Sequence, residues 1–167
     1  MSKLQTNAIR HLGSSVDNIT LDSSGRVLLP NQPSFAMYLN STSYTTNQIL
    51  PFGSNLHNIG NNYDVSNYKF TAPVAGTYFF YGQIRQETGA PSLSWHRIIL
   101  YKNGATYDPS RGTIYTRTTG VYSSVAMTMV IKLAAGDYIQ PYAEASTGSV
   151  SMATTPSETL FAGYFIG

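Results

Sequence analysis

The nine residues Val125-Ala126-Met127-Thr128-Met129-Val130-Ile131-Lys132-Leu133 constrain this chain more than any other stretch. Val125, Met127, Met129, Ile131 and Leu133 recur at every second position, with Thr128 and Lys132 between them. Side chains of a strand alternate between two faces, so this spacing predicts a half-buried β-strand rather than a helix of period 3.6. Ala134-Ala135-Gly136-Asp137 reads as a turn, and Tyr138 to Ala145 as the next strand, with Ile139, Pro141 and Ala143 set against Tyr138, Gln140 and Tyr142. Pro141 has no N–H for a ladder, which predicts an edge strand or a bulge.

The pattern recurs upstream. Gly76 to Arg85 places Tyr78, Phe80 and Ile84 on one face and Phe79, Tyr81, Gln83 and Arg85 on the other. Trp95 to Tyr101 is closed by Lys102-Asn103-Gly104, and Asn-Gly suits a tight hairpin. Thr159 to Ile166 is the last strand; Ser34 to Leu39, Leu56 to Ile59 and Tyr68 to Thr71 are shorter ones. Fourteen glycines and eight prolines punctuate these runs. Seven or eight short strands with turns between them predict an all-β sandwich or jelly roll.

Residues 1–33 differ. Asn18 to Pro30 reads as a short hairpin, Ile19 and Leu21 leading into Asp22-Ser23-Ser24-Gly25 and Val27 to Leu29 following it, with Asn31-Gln32-Pro33 as linker. Ser2 to Gly13 fits either one weak helix or an extended arm. A segment of this size with so few apolar groups cannot bury a core alone, so a sister subunit or a larger assembly is expected to hold it.

Composition narrows the chemistry. The 167 residues hold no cysteine, which excludes a disulfide scaffold, a thiolate zinc site and a cysteine nucleophile. A net charge of +2, with charged residues only 11% of the chain, leaves no footprint for nucleic acid. No apolar run nears a membrane span, and Met1-Ser2-Lys3-Leu4-Gln5-Thr6 is no signal peptide, so a soluble protein is expected.

Phe52, Asn58, Tyr63 and Phe70, followed by Gly76-Thr77-Tyr78-Phe79-Phe80, resemble the signature of the C1q/TNF-like domain. Leu100-Tyr101-Lys102-Asn103-Gly104, Leu133-Ala134-Ala135-Gly136-Asp137 and Phe161-Ala162-Gly163-Tyr164-Phe165-Ile166 are similar to later blocks of that family. The resemblance covers residues 34–167, with 1–33 as an N-terminal arm. It implies a C1q/TNF-like jelly-roll sandwich of ten strands that assembles as a homotrimer. One departure is Gly82, where the family usually carries an aromatic residue.

The ring count supports assembly. Thirteen Tyr, seven Phe and one Trp are many for one sandwich, which buries roughly two-thirds of the surface of its extended chain. Either ring set of the Gly76–Arg85 strand can then serve the subunit contact, so Tyr78, Phe79, Phe80, Tyr81 and Phe161 are the candidate trimer interface. The alternative buries both sets within one protomer.

The arm, Leu4 to Arg10 and Asp17 to Val27, resembles the β-rich segments of phage tail-fibre and virion appendage proteins. That resemblance implies attachment to another virion protein, with Leu4, Ile9, Ile19, Leu21 and Val27 as candidate anchoring residues and the virion as location.

No catalytic set is visible: His11, His57 and His96 lack metal-ligand spacing, and the eight acids are scattered. No cofactor is expected. Calcium is the one metal the resemblance leaves open, with Asp64 and Asp108 as loop candidates and Asp137 better suited to a turn. The segment Asn103 to Tyr122 reads as a long loop of Tyr and Arg among Ser, Thr and Gly, the composition of a binding loop. Tyr107, Arg111, Tyr115, Arg117 and Tyr122 are its candidate receptor-binding residues, for a host-surface glycan; the alternative is an arm packed on a neighbouring subunit. The expected function is a structural, non-enzymatic virion appendage, a tail fibre, spike or capsid decoration, bearing a trimeric knob. The rival is a free secreted or environmental C1q-like carbohydrate-binding module.

Overall fold

The computed structural model of the chain describes residues 6–40, 43–45, 47–87, 95–115, 122–146 and 149–167. Two compact units divide at Gln32/Pro33. The first holds β1 (Ala8–Ile9), β2 (Ile19–Leu21) and β3 (Val27–Leu28), paired antiparallel in the order β1-β2-β3. The predicted hairpin is present, with Leu21 opposite Val27. Its turn is held by Asp22, whose Oδ1 accepts from the N–H groups of Ser24 and Arg26. Gly25 takes the left-handed backbone (φ +79°) that the turn requires. The helical alternative for Ser2 to Gly13 fails at Ala8–Ile9, which pairs as a strand with Ile19 and Thr20.

In the second unit, β4 (Ser34–Tyr38), β5 (Ser43–Thr45), β6 (Gln48–Ile49), β7 (Ser54–Ile59), β8 (Tyr63–Asp64), β9 (Lys69–Thr71) and β10 (Gly76–Gln86) come first. They are followed by β11 (Trp95–Lys102), β12 (Ala105–Tyr115), β13 (Ser123–Leu133), β14 (Tyr138–Ala145), β15 (Ser149–Ser151) and β16 (Leu160–Phe165). One sheet runs β13-β10-β16-β4-β7; the other runs β12-β11-β14-β9-β8, with β6 also on β14. A two-stranded ladder, β5-β15, stands apart. All pairings among the described residues are antiparallel, and the long strands alternate buried positions with half-buried ones on β10 and β14 and with mostly exposed ones on β13. The fold is an all-β jelly-roll sandwich.

The core between the sheets is built on rings. Phe35 stacks near Tyr63 and Phe70 at 4.9 and 5.1 Å, and Phe161 meets Phe35 edge-on at 5.1 Å. The spaced signature residues explain themselves here. Phe52, Tyr63, Phe70 and Phe80 all point into this core. Asn58 holds the intervening turn closed: its Nδ2 donates to the Tyr63 carbonyl at 2.9 Å, and its Oδ1 accepts from the Tyr63 N–H. Gly82 also faces inward. A Cβ there would sit 2.8 Å from Ile98 Cδ1 and 3.0 Å from Met127 Cε, so these two side chains fill the space an aromatic residue would take.

Two expectations change. Pro141 lies inside a sheet, not at an edge. The N–H of its cross-strand partner Leu100 donates to Ser110 Oγ rather than to β14, so the Leu100–Pro141 pair exchanges no hydrogen bond. On its other side β14 passes from β9 (at Tyr138 and Ile139) to β6 (at Tyr142 and Ala143), and Pro141 sits between the two, where no donor is needed. The Asn103–Tyr122 loop is largely strand: Ala105–Tyr115 is β12, antiparallel to β11. Its register with β11 shifts between Ile98 and Leu100, and buried Ser110 caps the irregularity by accepting from the Leu100 N–H and donating to the Tyr107 carbonyl. The Asn103-Gly104 turn has both residues at positive φ (52° and 81°), as a two-residue hairpin loop requires.

Candidate functional site

Strand β10 divides the aromatic residues of the predicted interface into two groups. Tyr78 and Phe80, with Phe161 of β16, are fully buried among the core rings and cannot reach another subunit. Their assignment to an interface is corrected: inward alternation on β10 and β16 places them between the sheets. Phe79 and Tyr81 point the other way, onto the outer face of the five-stranded sheet.

Register shows what surrounds them. One row across the sheet reads Val130, Phe79, Tyr164, Ser34, Ile59; the next reads Thr128, Tyr81, Ala162, Ala36, His57. Phe79 and Tyr164 have ring centroids 5.2 Å apart. Val130 is 57% exposed and Tyr164 48%. The Tyr81 hydroxyl donates to Gln83 Oε1 on the same face. Lys132 and Arg85 stand beyond these rows at either end of the strands, so the middle carries rings, aliphatic groups and small residues without a formal charge. This is the composition of the centre of a protein–protein interface, aromatic and charge-poor. Sequence reasoning missed Val130 and Tyr164. Val130 left a signal, because it is the one large apolar residue on the otherwise polar face of β13.

The residues of the predicted receptor loop do not converge. Tyr107 is half-buried against the core. Arg111 is paired with Asp108 at 2.5 Å. Tyr115 lies at the far end of β12 beside Trp95 and is exposed. Tyr122 carries the Arg85 guanidinium over its ring at 4.7 Å, and Arg85 also pairs with Glu87 and Glu158. Arg117 lies outside the described residues.

A different group of rings does gather, on the outer face of the six-stranded sheet. Tyr101 of β11 and Tyr142 of β14 stack at 4.1 Å with their planes 9° apart. Burial, with a hydrogen bond that Tyr142 donates to Tyr101 behind it, pushes the Tyr142 hydroxyl up to about 12. On the same face Arg97 lies over Trp95 at 4.6 Å and pairs with Glu144, and Lys69 lies over Tyr138 at 5.0 Å. The alternation of Tyr138, Gln140 and Tyr142 announced one edge of this group; its partner on β11 required the pairing.

The calcium candidates are occupied by local contacts. Asp64 accepts from the Ser66 N–H and hydroxyl and from Asn67 Nδ2, and these bonds hold its carboxyl at about 2. Asp108 serves Arg111. Asp137 stitches two hairpin turns: it accepts from Asn103 Nδ2 and the Ala134 N–H and pairs with Lys102 Nζ, which keeps it near 2 as well. Among the described residues no group of three or more His, Asp or Glu side chains is placed to hold a metal ion. His96 faces inward on β11. It is buried, with no hydrogen-bond partner for either ring nitrogen among the described residues, and burial lowers it to about 4. Of the anchoring candidates, Ile9, Ile19, Leu21 and Val27 share one face of the arm's sheet, and Leu4 lies outside the described residues.

The fold is thus a jelly-roll sandwich whose five-stranded sheet presents an outer, ring-bearing face with no formal charge at its middle. The model of the C1q domain matches residues 34–166, and the chain belongs to that family. Among solved structures, the globular domain of zebrafish complement 1qA protein superposes with a TM-score of 0.62 at 18% identity, covering 81% of this chain and 98% of that one. Murine APRIL gives 0.62 at 15% identity, with 81% and 99% covered. The Eiger TNF of S. frugiperda gives 0.62 at 12%, with 82% and 94% covered.

Proposed function

We propose that this protein is a homotrimeric, non-enzymatic binding module that forms the knob of a virion appendage, a tail fibre or spike. Its subunits meet through Phe79, Tyr81, Val130 and Tyr164. The observation that carries the reading is the exposed, uncharged ring face of the five-stranded sheet, which is too apolar to be left in water in a chain whose remaining surface is rich in Ser, Thr and Asn. Membership of the C1q domain family supports the same stoichiometry. Three copies bring three identical outer faces to a ligand, so weak single contacts add up by avidity.

For the ligand, the Tyr101–Tyr142 stack with Trp95, Arg97 and Glu144 beside it combines flat rings with charged hydrogen-bonding groups, which suits a host-surface saccharide better than the dispersed residues of β12. The arm fastens the trimer to the particle; the likeness of Asp17 to Val27 to appendage segments supports this part. Light scattering on the full chain is expected to give three times the 18.2 kDa subunit mass. A well-folded monomer at micromolar concentration refutes the reading. Antibody labelling of purified particles tests the location, and an array of host glycans probed with wild type and Tyr142→Ala tests the ligand.

A further inference from the structure

Among the described residues, the arm's three-stranded sheet has an apolar face and nothing of its own to bury it. Ile9 stands opposite Ile19, and Leu21 opposite Val27, so four aliphatic side chains occupy one face while Ala8, Thr20 and Leu28 occupy the other. With Thr6 and Ala8 at its margin, this face lines an apolar hollow of about 170 Å³. Ile9 is 50% exposed, Leu21 41% and Val27 62%, and no described residue between Thr6 and Gln32 is buried. A sheet of three short strands needs a covered apolar face to be stable in water.

We propose that the face is covered by the same face of the other copies of this chain, so that the arms of one oligomer share an aliphatic core and form a common stem. The inference rests on the trimer proposed above. Three observations favour a second copy over a foreign protein. The face is purely aliphatic and therefore self-complementary. The charges of residues 6–32 balance, Arg10 and Arg26 against Asp17 and Asp22, with Asp22 and Arg26 already paired within the chain, so like copies approach without net repulsion. The arm also leads directly through Pro33 into β4, whose Ser34 and Ala36 lie in the rows of the interface face. Knobs joined by that face hold their arms at millimolar effective concentration, far above that of any other partner. The residues expected to grip a particle thus hold the arms to one another, and the particle grips the assembled stem.

The chain has no cysteine, so single cysteines report contacts without background. Ile9→Cys, Leu21→Cys and Val27→Cys are made in the full chain, with Thr20→Cys on the opposite face as control. Oligomeric state is read by light scattering before mild oxidation, and linked chains on a non-reducing gel after it. The proposal expects a trimer with disulfide-linked pairs from at least one apolar-face position, several-fold above Thr20→Cys. It also expects Leu21→Asp to remove amide-exchange protection from β2 and β3 while leaving β10 and β13 protected. A trimer with no excess of linked pairs overturns the stem and leaves the knob reading standing. A monomer with no linked pairs overturns both. Linkage of the apolar-face cysteines to a different particle protein instead of to one another also overturns the stem.

Discussion

Phe79 and Tyr164 stand side by side on β10 and β16, ring centroids 5.2 Å apart and planes inclined by 34°, on the side of the sheet turned away from the core. One position along β10, Phe80 lies between the sheets, 5.6 Å from Phe70 and fully buried. Neighbouring residues of one strand thus face apart, Phe80 into the core and Phe79 onto the surface through which the proposed trimer would form.

Phe79→Asp is expected to dissociate the proposed trimer without unfolding the subunit. An unpaired carboxylate at the centre of a desolvated contact costs about 3–5 kcal/mol, more than a hundredfold in association constant. Sedimentation over a range of concentrations should show monomer with wild-type circular dichroism. Phe80→Ala should instead lower the melting temperature by leaving a cavity, at about 3–5 kcal/mol.

His96 predicts an acid-sensitive fold. Burial lowers its folded-state value to about 4 from an ordinary 6.5, so the folded chain stays unprotonated where the unfolded chain already binds a proton. Stability is therefore whole above about pH 6.5, falls as pH drops from 6.5 to 4, and loses roughly 3 kcal/mol across that window. The depressed Asp64 and Asp137 carboxyls act in a separate window, losing their contribution as pH falls from 3.8 toward 2. Urea midpoints measured from pH 7.5 to 4.5 should decline in wild type and much less in His96→Leu.

Gly112 predicts a steric limit where β12 passes β13. A Cβ at this position would lie 2.4 Å from the Ala126 carbonyl oxygen and 3.1 Å from Met127 Cβ. Backbone cannot yield as a side chain does, so Gly112→Ala should destabilise by about 1–3 kcal/mol. Thermal melts against wild type check the value, and Gly136→Asn, in open space at a turn with positive φ, serves as a mild control.

Ser110→Ala removes the acceptor for the Leu100 N–H at the register shift of β11 and β12. A buried donor left without its partner costs about 1–3 kcal/mol. Amide exchange at Leu100 should accelerate with the neighbouring ladder intact; unchanged exchange there refutes the capping role.

Strand positions were legible because alternation is a local property. Tyr138 to Ala145 is a strand in sequence and in structure, and Trp95 to Tyr101 extends by only one residue. Tyr107 to Tyr115 looked like loop because Pro109 and Gly112 interrupt it, and only pairing with β11 reveals a strand. The same limit governs the site. Alternation separates Phe79 from Phe80, yet it cannot say which set faces the core until the second sheet is in place. Tyr101 and Tyr142 stand 41 positions apart in sequence, and nothing short of the β11–β14 register joins them.

The Phe165 N–H donates to the Pro33 carbonyl at 3.0 Å, and the Thr77 N–H to the Gly167 carbonyl at 2.7 Å. The chain therefore leaves the domain beside the point where it came in. A tag or passenger fused after Gly167 would emerge at the end of the sandwich where Pro33 enters it, leaving the opposite end unobstructed. Cargo meant to be displayed at that far end would have to be spliced into a connecting loop there rather than appended to the carboxyl terminus.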